Sequence, residues 1–281
     1  MEGAQLMQIK SILIATDLSA RSDRALQRGF LLAGELGARV RVVSIVDDSV
    51  PEGLTQDLAA KCRAHLEASA QSMAGEVPYD IQVEIGDPIT RLVDLVNSAE
   101  VDLVVAGRHR DRGLLDGLRQ TTVESVVARS LTPVLLVTDP VHGSYDRVLA
   151  PVAFSSACSR AVKTALSIAP HAAFRLFHLW MAPFEGLTGG QSSDFAREVQ
   201  RETAAQAASW AEGFAATLPK VDLVHDGVGS GCHQEIKGFA PDLIAVGANT
   251  RSLSFTGLGS FTAELLRTPP TDLLIARGAD A

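Results

Sequence analysis

The chain has 281 residues, 33 acidic against 25 basic side chains for a formal charge of −8, and a hydrophobic fraction of 46%. At roughly 100–200 residues per domain, that length leads to an expectation of two domains. The acidic balance speaks against a general nucleic-acid binder, which carries a basic footprint, yet it leaves room for a small anion held by local dipoles.

Taken in chain order, "SILIATD" from Ser11 is a short apolar run that reads as a buried strand. Helical periodicity runs from about Ala20 to Leu36 and stops at Gly37, a suitable C-terminal residue. "ARVRVVSIV" is a second strand, and about Leu54 to Ala74 is helical. "YDIQVEI" from Tyr79 is a third strand, followed by the turn "GDP" (Gly86–Pro88) and a helix from about Ile89 to Ser98. "VDLVVAG" from Val101 is a fourth strand, "TVESVVARS" a helix and "PVLLVT" a fifth strand. A second set of strands falls near 146–151, 173–180, 221–225, 242–247 and 272–276.

The two sets are a repeat. "IKSILIATDLSARSDRALQRGFLLA" and "YDRVLAPVAFSSACSRAVKTALSIA" align Leu13 with Leu149, Ser19 with Ser155, Arg24 with Arg160, Ala25 with Ala161 and Ala33 with Ala169. "VDLVVAGRHR" then aligns with "PDLIAVGANT", and "LTPVLLV" with "PTDLLIA". Three blocks in one order indicate a duplicated domain. The Pro-, Gly- and Ser-bearing stretch "TDPVHGSYD" is the hinge. The expected organisation is a first domain over 1–139, a linker over 140–144 and a second domain over 145–281. Strands alternating with helices make each an α/β, doubly wound domain, with a five-stranded parallel sheet and right-handed crossovers. Ligands in such sheets sit at the carboxyl ends of the strands.

Several residues carry a family resemblance: a first strand ending in "TDLS" (Thr16–Ser19), the "GDP" turn, a strand ending in "VAG" before a long loop, and the closing "TPVLLV". Together they resemble a universal stress protein domain, and the resemblance covers nearly the whole chain, twice. It implies a tandem member, with the five-stranded adenine-nucleotide-hydrolase-like fold in each half and an intramolecular pseudo-dimer that leaves a further homodimer open. Many members of that family bind ATP or AMP, and others bind none. In the binders an Asp at the end of the first strand meets adenine, and a loop G-x2-G-x9-G-[ST] after the fourth strand holds ribose and phosphates. Glycines there permit close backbone approach, and the following helix N-terminus favours an anion.

Carried over by this resemblance, Asp17 takes the adenine position, Gly107 the first loop glycine and Thr121 the final hydroxyl. Arg110 and Gln120 stand where the other two glycines would be. Arg108, Arg110 and Arg112 can instead offer charge to a phosphate. In the second half Ala153 replaces the Asp, Gly247 is the first glycine, Thr250 stands at the second, and Gly259–Ser260 match the phosphate end with one residue fewer between. Each residue also has a plain structural reading. Asp17 is a candidate cap for the following helix, the arginines are candidates for a solvated loop, and Gly259–Ser260 suit a turn before a helix.

Other chemistry finds less support. There is no G-x4-G-K-[ST] loop and no G-x-S-x-G elbow opening a helix. "TDLSARS" lacks the S-G-G-x-D-S of adenylating synthetases, and "GVGSGC" (Gly227–Cys232) places Cys232 where a dinucleotide fingerprint needs glycine. Cys62, Cys158 and Cys232 are odd in number and widely spaced, which suits packed thiols in a reducing cytoplasm. Cys232–His233 would need two more ligands to hold zinc. His178 reads as a satisfied histidine at a strand end, and His109 as a solvated loop residue. "WMAPFEGLTGGQSSDF" (Trp180–Phe195) suggests a cover over the second-half ligand mouth, with Trp180 and Phe184 as alternative interface residues. "MEGAQLMQIKSILIATD" turns acidic too soon for a secretion signal, and no run of about 18 apolar residues suggests a membrane span.

The expected function is that of a cytoplasmic stress-response binding module, not an enzyme. By the resemblance it takes a small adenine nucleotide beside Asp17 and engages protein partners, with no nucleic acid and no membrane. Two alternatives stand beside it. One is an interaction scaffold with closed clefts. The other is a slow ATP hydrolase in which Asp111 or Asp116 acts on water.

Overall fold

The computed structural model describes residues 7–19, 22–49, 51–98, 100–108, 122–183, 193–214, 218–248 and 258–278. The first half runs β1 (Ser11–Ala15), α1 (Ser22–Leu36), β2 (Arg39–Val46), α2 (Glu52–Met73), β3 (Tyr79–Ile85), α3 (Pro88–Ser98), β4 (Leu103–Gly107), α4 (Thr122–Arg129) and β5 (Val134–Val137). The second repeats the order as β6 (Arg147–Pro151), α5 (Ser156–Ile168), β7 (Ala173–Trp180), α6 (Asp194–Glu212), β8 (Val221–His225), α7 (Val228–Phe239), β9 (Leu243–Ala248), α8 (Ser260–Arg267) and β10 (Asp272–Arg277).

Each half forms a parallel five-stranded sheet, β3-β2-β1-β4-β5 and β8-β7-β6-β9-β10. Apolar side chains on both faces explain the continuous hydrophobic runs. Along β1, Ile12 and Ile14 enter the core under α1 and α2, while Leu13 between them enters the core under α3 and α4. Period-two alternation thus feeds two cores from one strand, as a sheet covered on both faces requires.

The halves join edge to edge. β5 and β10 pair antiparallel, with Leu136 opposite Leu273, Leu135 opposite Leu274 and Val134 opposite Ile275. One ten-stranded sheet results, and two apolar edge strands that would otherwise expose unpaired backbone satisfy each other. This is the pseudo-dimer arrangement, made within one chain.

A buried polar cluster sits on one side of this seam. Asp272, at the start of β10, is 1% exposed. Its Oδ2 accepts from Tyr145 Oη at 2.6 Å, and its Oδ1 accepts from the Thr138 and Asp139 amides at 2.7 and 3.1 Å. Arg28 from α1 lies 3.7 Å from the carboxylate, donates to Gly143 O at 2.6 Å and stacks over the Tyr145 ring at 3.9 Å. Burial pushes the Asp272 carboxyl and the Tyr145 phenol upward, with Arg28 and the donated bonds opposing it on Asp272. The cluster ties α1, the 138–145 connection and β10 together. The repeat does not reproduce it, because Arg28 aligns with Thr164 and Asp272 with Pro133.

Candidate ligand clefts

The two halves shape their first strand-to-helix loop alike. Leu18 and Phe154, aligned in the repeat, both adopt left-handed backbone, φ 60° and 54°. Such a conformation costs a side-chain-bearing residue about 1–2 kcal/mol and persists only where its surroundings fix it. In the first half Asp17 supplies part of that fixing. Its Oδ1 accepts from Ser22 Oγ at 2.5 Å and from the Ser19 amide at 3.0 Å, while Thr16 Oγ1 accepts from the Leu18 amide at 3.1 Å. Asp17 therefore organises the turn ahead of α1, five residues before the helix begins, where Ser19 Oγ accepts from the Ser22 amide.

Beyond this loop lies a cleft of about 600 Å³ at the carboxyl ends of the first-half strands, within the range of small-molecule sites. Ala15, Val43, Ile45, Leu92 and Ala106 give it apolar walls, and Asp17 and Gly107 line it. Asp47 and Asp87 add two more carboxylates. Hydrogen bonds from Ser49 hold the Asp47 carboxyl below its ordinary value. Bonds from the Thr90 hydroxyl and amide, at 2.7 and 2.8 Å, do the same for Asp87. Both groups stay charged at neutral pH. Among the described lining residues there is no Lys, Arg or His.

Sequence reasoning overlooked Asp47 and Asp87 as site residues. The signal was available: each lies within two residues of the end of a strand, β2 or β3, on the ligand side of a doubly wound sheet. Arg108, offered above as a phosphate partner, turns to the seam instead. Its guanidinium reaches Arg267 O at 3.4 Å and lines a separate pocket with Arg24 and Asp139. Arg110, Thr121, Gln120, Asp111, Asp116, Arg112 and His109 lie outside the described residues, as do Thr250 and Phe184.

The second half has its own cleft of about 370 Å³, bounded by Val152, Ala153, Phe177, Leu179, Val246, Gly247 and Gly259 among others. Here the two motif glycines have local explanations. A Cβ on Gly247 would lie 2.6 Å from the Cys158 amide nitrogen and 2.8 Å from Ala157 C, so α5 can approach β9 only over a glycine. Gly259 precedes α8 with φ 75°, which favours glycine whatever binds nearby. Ser260 is the first residue of α8. His178 is satisfied as expected, its Nδ1 2.7 Å from Val152 O, and it stacks on Phe154 at 4.4 Å. Trp180 is 8% exposed and meets His225 edge-on at 4.7 Å. It is thus an interior residue, not the interface residue offered as one reading, because the last side chain of β7 packs on its register partner in β8.

This geometry has relatives. The universal stress protein family matches residues 8–138 and again 144–277. The chain therefore belongs to the universal stress protein family and carries its domain twice in tandem. A universal stress protein from Archaeoglobus fulgidus DSM 4304 aligns over 96% of this chain and 97% of its own, at 17% identity and a TM-score of 0.68. A functionally unknown protein from Pseudomonas aeruginosa PAO1 covers 97% of this chain and 94% of its own, at 15% identity and a TM-score of 0.65. A universal stress protein from Archaeoglobus fulgidus, solved in complex with dAMP, matches 46% of this chain and 98% of its own, at 17% identity and a TM-score of 0.37. At these identities the likeness is one of fold. No curated protein matches the chain. Among the described residues, no helix is long and apolar enough to cross a membrane.

Proposed function

We propose that this chain is a cytoplasmic stress-response protein whose first-half cleft takes an adenine nucleotide, and that it acts by ligand-biased conformation and not by turnover. The observation that carries this reading is the placement of Asp17. It stands on the rim of a cleft of about 600 Å³ with apolar walls, two residues after the end of β1. Apolar walls suit a purine face, and a carboxylate at the rim suits its exocyclic amine. The three carboxylates Asp17, Asp47 and Asp87 favour a nucleotide of low charge, such as AMP, over an uncomplexed triphosphate, because each added phosphate charge meets like charge. An open cleft of this size also favours a ligand-binding role over the closed-cleft scaffold.

Calorimetric titration of the full chain with AMP and with Mg-ATP tests the reading. The expected result is a single isotherm for AMP, weakened roughly 10- to 100-fold in Asp17→Ala, the worth of a hydrogen bond to a charged group. Asp17→Asn keeps an acceptor for the Ser19 and Ser22 bonds while losing the charge, so it separates loop collapse from a lost contact. Absence of heat with both nucleotides overturns the proposal.

A further inference from the structure

The repeat puts the two clefts in register, and at aligned positions the second has exchanged polar groups for apolar ones. Asp17 becomes Ala153, Thr16 becomes Val152 and Ser22 becomes Cys158. β2 and β7 are both eight residues long, so Asp47 aligns with Met181. Gly227 stands at the position of Asp87, and the Asp226 carboxylate before it accepts from the Gly227 amide and Ser230 Oγ, both at 2.6 Å, and does not line the cleft. Among the described residues lining the second cleft there is no Asp, Glu, Lys or Arg.

The polar groups that remain are sparse. Val152 O can only accept, so His178 Nδ1 donates to it. Cys232 lines the cleft with its thiol pushed up to about 12, by burial first and by Glu235 and Glu264 next, so it stays neutral. At the mouth, Val228 is 55% exposed, and Met181, 54% exposed, follows β7 beside it. The Met181 sulfur comes within 3.8 Å of the Cβ position of Gly227, the residue before Val228. Two large apolar side chains thus stand in water beside a cavity whose described lining carries no charged residue.

We propose that the second cleft binds a neutral, largely apolar ring compound, and that the two halves of this chain take ligands of different chemical class. A phosphate-bearing molecule would find an alanine at the purine-contacting position and a glycine pair already required by packing and by backbone conformation. A neutral ring of one or two fused cycles fits the volume and replaces water along apolar walls, with the His178 ring as a polar neighbour in the lining. The ligand class of the second cleft follows from that cleft's own lining, while the contrast between the halves rests on the nucleotide reading of the first.

The test uses two neutral probes on the full chain: N-phenyl-1-naphthylamine followed by fluorescence, and indole followed by ligand-observed NMR. At least one should bind saturably at one site per chain and shift the His178 ring protons. Ala153 is exposed at the cleft lining, so Ala153→Trp fills the mouth without disturbing a core and should abolish binding. Ala153→Asp, which installs the first-half carboxylate, should weaken it more than about tenfold, since an apolar ligand cannot repay the desolvation of that charge. Asp17→Ala and saturating AMP should leave it unchanged. Failure of both probes to bind saturably overturns the proposal, as does binding that survives Ala153→Trp or is displaced by AMP.

Discussion

Replacing Asp272 by alanine removes the acceptor at the centre of the seam cluster. The Tyr145 hydroxyl and the Thr138 and Asp139 amides lose their partner, and Arg28, itself 5% exposed, loses its counter-charge. Breaking a buried pair from one side costs about 3–5 kcal/mol, because a charge stays buried without compensation. Arg28 keeps Gly143 O and the Tyr145 ring, which places the loss at the lower end, about 3 kcal/mol. At roughly 2–4 °C per kcal/mol for a chain of this size, the melting temperature should fall by about 6–12 °C. Calorimetric melts of Asp272→Ala, Arg28→Met and the Arg28→Met/Asp272→Leu pair read this out. The double variant should recover part of the loss, since it removes the orphaned charge with its partner. A fall of less than about 2 °C in Asp272→Ala would show that the cluster does not hold the halves together.

Two further predictions concern the residues around the clefts. Gly247→Ala should destabilise the nucleotide-free protein by about 1–3 kcal/mol, the usual range for forced overpacking, because its Cβ meets backbone atoms of α5; an unchanged urea midpoint would restore a ligand-based reason for that glycine. Asp87 is held below its ordinary carboxyl value by Thr90, so it binds fewer protons folded than unfolded and its stabilisation is present at neutral pH. That contribution is lost as pH falls below 3.8 through the lower folded value. The melting curves of wild type and Asp87→Ala should therefore differ at pH 7 and converge on acidification, and a gap that widens in acid would contradict the assignment.

Much of the fold is legible in the sequence. β3, β7 and β8 fall at the expected residues; β3, an outer strand of the sheet, alternates polar and apolar residues and is only partly buried. The four first-half helices start within two residues of expectation, as at α3, where the "GDP" turn and a proline mark the entry. The seam is less legible. "VLLV" and "DLLIAR" announce strands but not that they pair with each other, and Asp272 reads as an ordinary charged residue until the fold brings Arg28 and Tyr145 to it. Of the residues that the family resemblance singles out, Asp17 and Gly107 line the first cleft. Gly247 and Gly259 match the motif for reasons of packing and backbone conformation, which a motif cannot distinguish from phosphate contact. Asp47 and Asp87 were overlooked because a resemblance directs attention to known positions and not to the chemistry of every strand end.

The central claim is that an adenine nucleotide enters the first cleft of this tandem chain and leaves the second to a different ligand. Amide chemical-shift mapping of the labelled full chain during an AMP titration tests it most directly. The account predicts saturable shifts at Asp17, Gly107 and Val123, with Ala153, Gly247 and Thr262 unmoved. Saturable shifts confined to the second set, or none at either, would contradict it.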